Sequence, residues 1–333
     1  MKILSIESSC DETSIAIIED GKKVLSNVTY TQIDIHKMYG GVVPEVASRH
    51  HIEKITYVLD SALKEANLTM NDIDRIAVTN TPGLVGSLMV GINCAKTLAF
   101  AFNKPITFVN HIHGHIYANY LTSEFKFPLI ALVVSGGHTE LVLMKDHFNF
   151  EILGETLDDA VGEAYDKIAR VVNVGYPGGP IIDKMASNGK CTYMLPRIKL
   201  AKDSYDFSFS GLKSAVINLH NKAIAKNEEL NANDLAASFQ AAVVEVLCSK
   251  TKMAVENHNA KQIIVAGGVA ANKGLRKSLS IMVENMNDVV LTFPPFEYCT
   301  DNAAMIASAG YYQYQKTQET RKLDINGLAD LQL

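Results

Sequence analysis

The sequence predicts an α/β protein built as two similar lobes, and three observations carry that prediction. The chain has 333 residues, beyond the roughly 250–300 at which a single core usually stops growing and chains split. Short apolar runs alternate with longer amphipathic ones, the pattern of strands followed by helices. The third observation is an internal echo. A strand, a small Ser-rich turn with a Thr, a strand, a turn and a further strand open the chain and recur from residue 129. A β-meander repeated in this way, each copy followed by helices, gives two lobes of like design whose polar turns share one cleft.

The first copy begins with a short apolar strand at 2–6. The polar turn Glu7-Ser8-Ser9-Cys10-Asp11-Glu12-Thr13 follows, then a strand at 14–19, the hairpin turn Asp20-Gly21 and a strand at 23–30. Ser and Asp are ordinary turn formers. The same turn also offers N–H groups and hydroxyls that suit a phosphate or a metal-bound oxyanion. Residues 36–43, with Gly40-Gly41, form a loop, and Pro44 starts a helix over 44–65. His50 and His51 on that helix are read as surface or interface residues. A strand at 74–79 runs into the Gly-rich turn 81–87 and a helix at 88–102. A strand, such a turn and a helix N-terminus can bind an anion. The Lys-Ser/Thr of a P-loop and the GxGxxG pattern are both missing, and close helix–strand packing explains the glycines equally well. The strand at 105–109 delivers the stretch 110–119.

The second copy has a strand at 129–134, the turn Ser135-Gly136-Gly137-His138-Thr139, and strands at 140–145 and 150–155. A helix at 158–172 has an acidic first turn, favourable to its dipole, and carries Glu163 and Asp166. GYPGGP at 175–180 is a rigid turn whose glycines admit a ligand, and a helix from 181 carries Asp183. FSFSG at 207–211 opens a helix to 226, and 234–258 is a long amphipathic helix. The strand at 262–266 meets Gly267-Gly268-Val269-Ala270-Ala271-Asn272 and a helix from 273. That turn is either a plain connection or a rest for a nucleoside, with Asn272 on a hydroxyl or ring edge. A strand at 289–293 leaves through Pro294-Pro295 toward Asp301, which precedes a helix at 303–314. The tail after 316 is polar and packs peripherally.

Residues 110–119 read NHIHGHIYAN. His111 and His115 are four apart, so on a helix they stack on one face and can close on one metal ion. Imidazole suits zinc or iron. A third ligand must come from elsewhere, and Asp301 is the candidate oxygen donor; its alternative role is a helix N-cap. Three histidines in five residues also occur on solvated helix faces, so the spacing alone leaves both readings open.

Composition sets limits on function. Hydrophobic residues make up 47% and charged residues 20%, as in ordinary globular proteins. The formal charge of −5 is unlike a protein that grips nucleic acid by bulk charge. Any nucleic-acid role then rests on a local patch or on partners, and the basic clusters at 197–202 and 261–277 read as solvated surface. Five scattered cysteines with no CxxC pair point to reduced thiols and a cytoplasmic location. The start turns polar too soon for a signal peptide, and no apolar run approaches the ~18 residues of a membrane span.

The motifs together resemble the bacterial TsaD family of tRNA N6-adenosine threonylcarbamoyltransferases, formerly called glycoproteases or O-sialoglycoprotein endopeptidases. The matching stretches are IESSCDETSIAI, YGGVVPEVASRHH, TPGLVGSLMVG, NHIHGHIYA, LVVSGGHTELVL, LDDAVGEAYDKIAR, YPGGP, FSFSGLK, AGGVAANKGLR and CTDNAAMIA, in order along the chain. The resemblance implies the actin/hexokinase/Hsp70-like fold (ASKHA), with lobes at 1–127 plus 297–333 and at 128–296, and nucleotide between them. It implies one divalent metal per subunit, iron(II) in preference to zinc, on His111, His115 and Asp301. It places nucleotide contacts at Val134, Ser135, Gly136, Gly137, His138, Asp166, Gly179, Asp183 and Asn272, and catalytic acids at Asp11 and Glu12. His113, between the two ligands, falls on another helix face and is read as a bystander.

The implied reaction moves threonylcarbamoyl from threonylcarbamoyl-AMP to N6 of adenosine 37 in tRNAs that read codons starting with A. The implied partners are tRNA, a paralogous TsaB-type subunit and a TsaE-type ATPase. A metallopeptidase is disfavoured, because HExxH needs Glu directly after the first His and Ile112 stands there. A sugar kinase or chaperone-like ATPase shares the fold, but such enzymes hold Mg²⁺ mainly with carboxylates and phosphates. A non-enzymatic scaffold is the third alternative.

Overall fold

A computed structural model of the chain describes residues 1–198, 200–201, 203–318 and 323–329. Lys199 and Lys202 of the 197–202 cluster, and much of the polar tail, lie outside the described residues. Two compact units are present, Met1–Glu124 with Pro294–Leu333, and Phe125–Phe293.

The first unit opens with β1 (Lys2–Glu7), β2 (Glu12–Glu19) and β3 (Lys23–Thr31), then α1 (Ile33–Lys37) and α2 (Pro44–Ala66). It continues through β4 (Arg75–Thr81), α3 (Val85–Ala101), β5 (Ile106–Asn110) and α4 (His111–Ala118). The second unit holds β6 (Leu129–Val134), β7 (Thr139–Asp146), β8 (Asn149–Glu155), α5 (Val161–Val171), α6 (Gly178–Ser187), α7 (Ser210–Ala225) and α8 (Ala232–His258). It closes with β9 (Gln262–Ala266), α9 (Lys273–Glu284) and β10 (Val290–Thr292). The chain then returns to the first unit with α10 (Ala303–Thr317).

Each unit contains a five-stranded sheet, ordered β3-β2-β1-β4-β5 and β10-β9-β6-β7-β8. In both, three antiparallel strands from the meander are extended by two parallel strands. The central strands β1 and β6 are buried almost throughout, which explains their unbroken apolar runs. Edge strand β3 is half exposed and more polar. Leu4, Ile6, Ile15, Ile17, Ile76 and Val78 of the first sheet pack with Ile55 and Val58 of α2 and with Leu88 and Ile92 of α3. Helix α10 also packs on this sheet. It is buried from Ala303 to Gly310, and its small side chains let it lie close: a Cβ on Gly310 would stand 3.0 Å from the Cβ of Ala77.

Several boundaries differ from the sequence reading. Residues 33–37 form a helical turn where a loop begins, because the His36 ring is held by Gln32 (3.1 Å) and accepts the Val43 N–H (3.3 Å). Gly178-Gly179-Pro180 forms the first turn of α6 instead of a free turn. Pro tolerates that position, where backbone N–H groups lack partners within the helix. Helix α2 starts at Pro44 and ends on Asn67 in the left-handed conformation. Its buried stripe is Ala47, His51, Ile55, Val58 and Ala62, so His51 occupies a core position. That corrects its reading as a surface residue.

Candidate metal centre and nucleotide segments

Helix α4 begins at His111, immediately after β5. Asn110 caps it, accepting hydrogen bonds from the N–H groups of Ile112 (2.7 Å) and His113 (3.3 Å). Gly114 admits α10 closely: a Cβ there would lie 2.6 Å from the Ile306 side chain. This contact brings the start of α10, with Asp301, over the histidine face of α4. Asp301 is not the N-cap of α10. Asn302 takes that role, accepting from the Met305 N–H (3.0 Å), and leaves the Asp301 carboxylate free for other work.

His111 Nε2 and His115 Nε2 lie 3.4 and 3.2 Å from the same Asp301 oxygen. The ligand atoms of the three residues all lie within 4.8 Å of one another, the one such His/Cys/Asp/Glu group among the described residues. Metal–ligand bonds of ~2.0–2.1 Å in a tetrahedron give edges of about 3.3–3.4 Å, which the two histidine–aspartate distances match, so the donor set suits a small divalent cation. The other side of the ring supports the same fit. His111 Nδ1 is 3.1 Å from Oε2 of the fully buried Glu7 and 3.2 Å from Ser9 Oγ. A proton fixed on Nδ1 by a carboxylate turns the Nε2 lone pair toward the cation position.

The electrostatics follow from this packing. Burial alone would raise the Asp301 carboxyl, but the charge and hydrogen bonds of His111 and His115 hold it well below the carboxylate range. Glu7 behaves alike, with burial overcome by His111. Burial would lower His111, yet Asp301 and Glu7 push it well up. His115 is lowered by burial and then by His111. Fully buried Glu7 and half-buried Asp301 thus set two carboxylates around two imidazoles, a donor set of net negative charge that suits a cation.

Asp11 and Glu12 lie at the entry to β2, both largely buried. Glu12 accepts a hydrogen bond from Thr31 Oγ1 (3.1 Å). Burial, and then the charges of Asp301 and Asp11, raise its carboxyl well above the ordinary value. Cys10 is also pushed well up, by burial first and by Asp11 next, so it is a neutral thiol and not a nucleophile. The two glycines of the 81–87 turn serve packing: a Cβ on Gly83 would sit 2.7 Å from the Ser9 carbonyl oxygen, and one on Gly86 3.2 Å from the Ser48 Cβ. Burial alone drops His113 to about 3, a neutral ring.

In the second unit the expected nucleotide residues form one continuous set. Ser135 closes its turn by bonding His138 through both backbone and Oγ (2.9 and 3.0 Å), and its carbonyl accepts from Gly162 N–H at the start of α5. Gly267, at φ +90°, lies against Val134, where a Cβ would meet the carbonyl oxygen at 2.5 Å. Asp166 accepts from Gly178 N–H (2.7 Å) at the start of α6, and burial raises its carboxyl. Asp183 accepts from Lys273 and Gly274 N–H (3.1 and 3.3 Å) at the start of α9 and from Gln240 (3.1 Å). Asn272 caps α9 through Leu275 N–H (2.8 Å) and donates to Gln240 (2.8 Å). The last three side chains thus organise helix N-termini, a role the sequence reading had not given them. At Gly136, Gly137, Gly179 and Gly268 a Cβ would meet nothing within 4 Å, so the backbone there is open to a ligand.

The family model for TsaD, tRNA N6-adenosine threonylcarbamoyltransferase, matches residues 23–308. The chain belongs to the TsaD family. A relative from Staphylococcus saprophyticus, named tRNA N6-adenosine threonylcarbamoyltransferase, is 60% identical over 98% of this chain and 94% of its own length. TsaD members thus include sequences matching this chain nearly end to end. Among solved structures, full-length HypF in its phosphate- and nucleotide-bound form aligns with a TM-score of 0.65 at 13% identity, covering 96% of this chain and 47% of that one. Component A of (R)-2-hydroxyglutaryl-CoA dehydratase from Acidaminococcus fermentans aligns with a TM-score of 0.55 at 14% identity, covering 96% and 100%. At such identities these likenesses speak for the fold, which is the actin/hexokinase-like α/β architecture. No helix among the described residues is long and apolar enough to cross a membrane.

The residues that sequence reasoning missed are Glu7, Ser9 and His51. Glu7 had a signal, a carboxylate ending an otherwise apolar strand. His51 had another, its place in the four-and-three spacing of the α2 stripe.

Proposed function

We propose that the chain transfers a threonylcarbamoyl group from threonylcarbamoyl-AMP to N6 of adenosine 37 in tRNAs reading codons that start with A. Membership in the TsaD family supplies the reaction class. The observation that carries the site assignment is the His111–His115–Asp301 group backed by Glu7. These three residues would hold iron(II), with zinc as the alternative. The bound metal supplies Lewis acidity toward the oxygens of the donor.

The acceptor amine is a weak nucleophile, because its lone pair is delocalised into the purine, so placement and charge stabilisation must supply the rate. Asp11 orients the amine and accepts its proton. Glu12, whose carboxyl burial and its acidic neighbours raise well above the ordinary value, is the second acid beside Asp11. The open backbone of the 135–138 turn and the N-terminus of α5 receive the phosphate. Val134, Asp166, Gly179, Asp183 and Asn272 shape the nucleoside site, with the side chains of Asp166, Asp183 and Asn272 setting the helix N-termini around it. AMP leaves as the carbamoyl–phosphate bond breaks, and no covalent enzyme intermediate is needed. A TsaB-type paralogue and a TsaE-type ATPase act with it in the cytoplasm.

The deciding experiment is transfer of labelled threonylcarbamoyl to tRNA by protein purified anaerobically, with metal analysis of the same sample. A His111→Ala protein that folds, keeps its metal and transfers at the full rate overturns the assignment.

A further inference from the structure

The turn that carries Asp11 is held by three donors from three different elements. The carbonyl of Ser9 accepts from Leu84 N–H at 2.8 Å, and that of Asp11 from Gln32 N–H at 3.0 Å. Between them, the carbonyl of Cys10 lies 2.9 Å from His51 Nε2. Two of these donors are backbone; His51 is the side chain among them. Its other nitrogen, Nδ1, lies 2.7 Å from Thr13 Oγ1, so one ring spans the turn from residue 10 to residue 13.

Chemistry fixes the hydrogen positions. A carbonyl can only accept, so Nε2 carries the proton and donates to Cys10. Burial lowers the pKa of His51, so the ring is neutral and Nδ1 accepts from the Thr13 hydroxyl. A peptide unit is planar. The Cys10 carbonyl therefore sets the plane before Asp11, and the Asp11 carbonyl sets the plane after it. Fixing both planes fixes the direction in which the Cα–Cβ bond of Asp11 leaves the backbone, and so the range its carboxylate can reach. His51 is fully buried and sits in the apolar stripe of α2, where an aliphatic residue would pack equally well and cost less to desolvate.

We propose that His51 is a positioning residue for the transfer reaction, clamping Cys10 and Thr13 so that the Asp11 carboxylate points at the acceptor amine. This rests on the reading of Asp11 given above, and the experiment separates the two. The full-length, metal-loaded protein with its partner subunits is assayed with tRNA and threonylcarbamoyl-AMP as wild type, Asp11→Asn, His51→Leu, His51→Gln and the His51→Leu/Asp11→Asn double variant.

The loss expected of His51→Leu is about ten- to a hundredfold in kcat, the scale of a misplaced catalytic group, with KM values and metal content near wild type. A glutamine amide places a donor and an acceptor where the imidazole nitrogens stand, so His51→Gln should regain most of the rate. In the Asp11→Asn background, His51→Leu should cost nothing more, because its effect runs through Asp11. Additive losses, or a His51→Leu enzyme at full kcat beside an impaired Asp11→Asn, overturn the clamp alone. A fully active Asp11→Asn enzyme overturns the reading beneath it and the clamp with it. If His51→Leu does not fold, Thr13→Val removes one end of the same clamp. It must then lower kcat non-additively with Asp11→Asn, and full activity or additivity counts against the proposal.

Discussion

Oε2 of Glu7 lies 3.1 Å from Nδ1 of His111, and its other oxygen accepts the Ser9 N–H at 2.6 Å. Thr79 Oγ1 donates to Glu7 Oε2 as well. The carboxylate is thus held by two donors besides the imidazole it orients. Glu7→Gln keeps the shape but removes the charge that fixes the Nδ1 proton. Metal affinity, measured by competition with a chromogenic chelator, should fall about 10–100-fold, while the other two ligands stay in place.

Asp301 and Asn302 are neighbours with separable duties. Asp301→Ala should abolish metal binding and transfer with little change in unfolding temperature, because it caps nothing. Asn302→Ala should do the reverse. It loses the cap to Met305 N–H and should cost about 1–2 kcal/mol of stability, measured by urea denaturation of metal-free protein. Equal stability losses in the two variants would contradict this division.

Asn272 should show a mixed effect. Its Oδ1 caps α9 and its Nδ2 bonds Gln240. Asn272→Ala should cost about 1 kcal/mol or more of stability. Isothermal titration should also find adenylate binding weakened more than metal binding. Unchanged adenylate affinity would exclude Asn272 from the nucleoside site.

Burial lowers the pKa of both His51 and His36. Below about pH 6.5, the ordinary histidine value, the unfolded chain takes up protons that the folded chain refuses. Their stabilising contribution is therefore complete above that value and is lost as pH falls toward the folded-state values. Denaturant unfolding of His51→Gln between pH 6 and 5 should show a slope against pH shallower by up to ~1.4 kcal/mol per unit, the weight of one proton. An unchanged slope would mean that His51 titrates alike in both states.

The strands and most helices were legible in the sequence because their burial is periodic or unbroken. The repeat of the meander was legible for the same reason, and the two sheets share one strand order. His111 and His115 could be paired from spacing alone, since one helix carries both. Asp301 could be named but not separated from a helix cap, because Asp and Asn are both good caps and stand side by side at 301 and 302. The partners of Glu7 and His51 were out of reach. Glu7 meets His111 across more than a hundred residues, and no local pattern encodes which buried side chain a folded sheet will set beside it. The helix-start contacts of Asp166 and Asp183 were equally out of reach, because each holds the start of a helix other than its own.

The first unit is assembled from both ends of the chain, and this orders events during synthesis. His111 and His115 leave the ribosome while roughly 190 residues remain before Asp301, a delay on the order of 10–40 s at ordinary translation rates. The whole second unit is made in that interval. A metal ion arriving early meets two imidazoles and no Asp301, so the three candidate ligands coexist only after the second unit has been made.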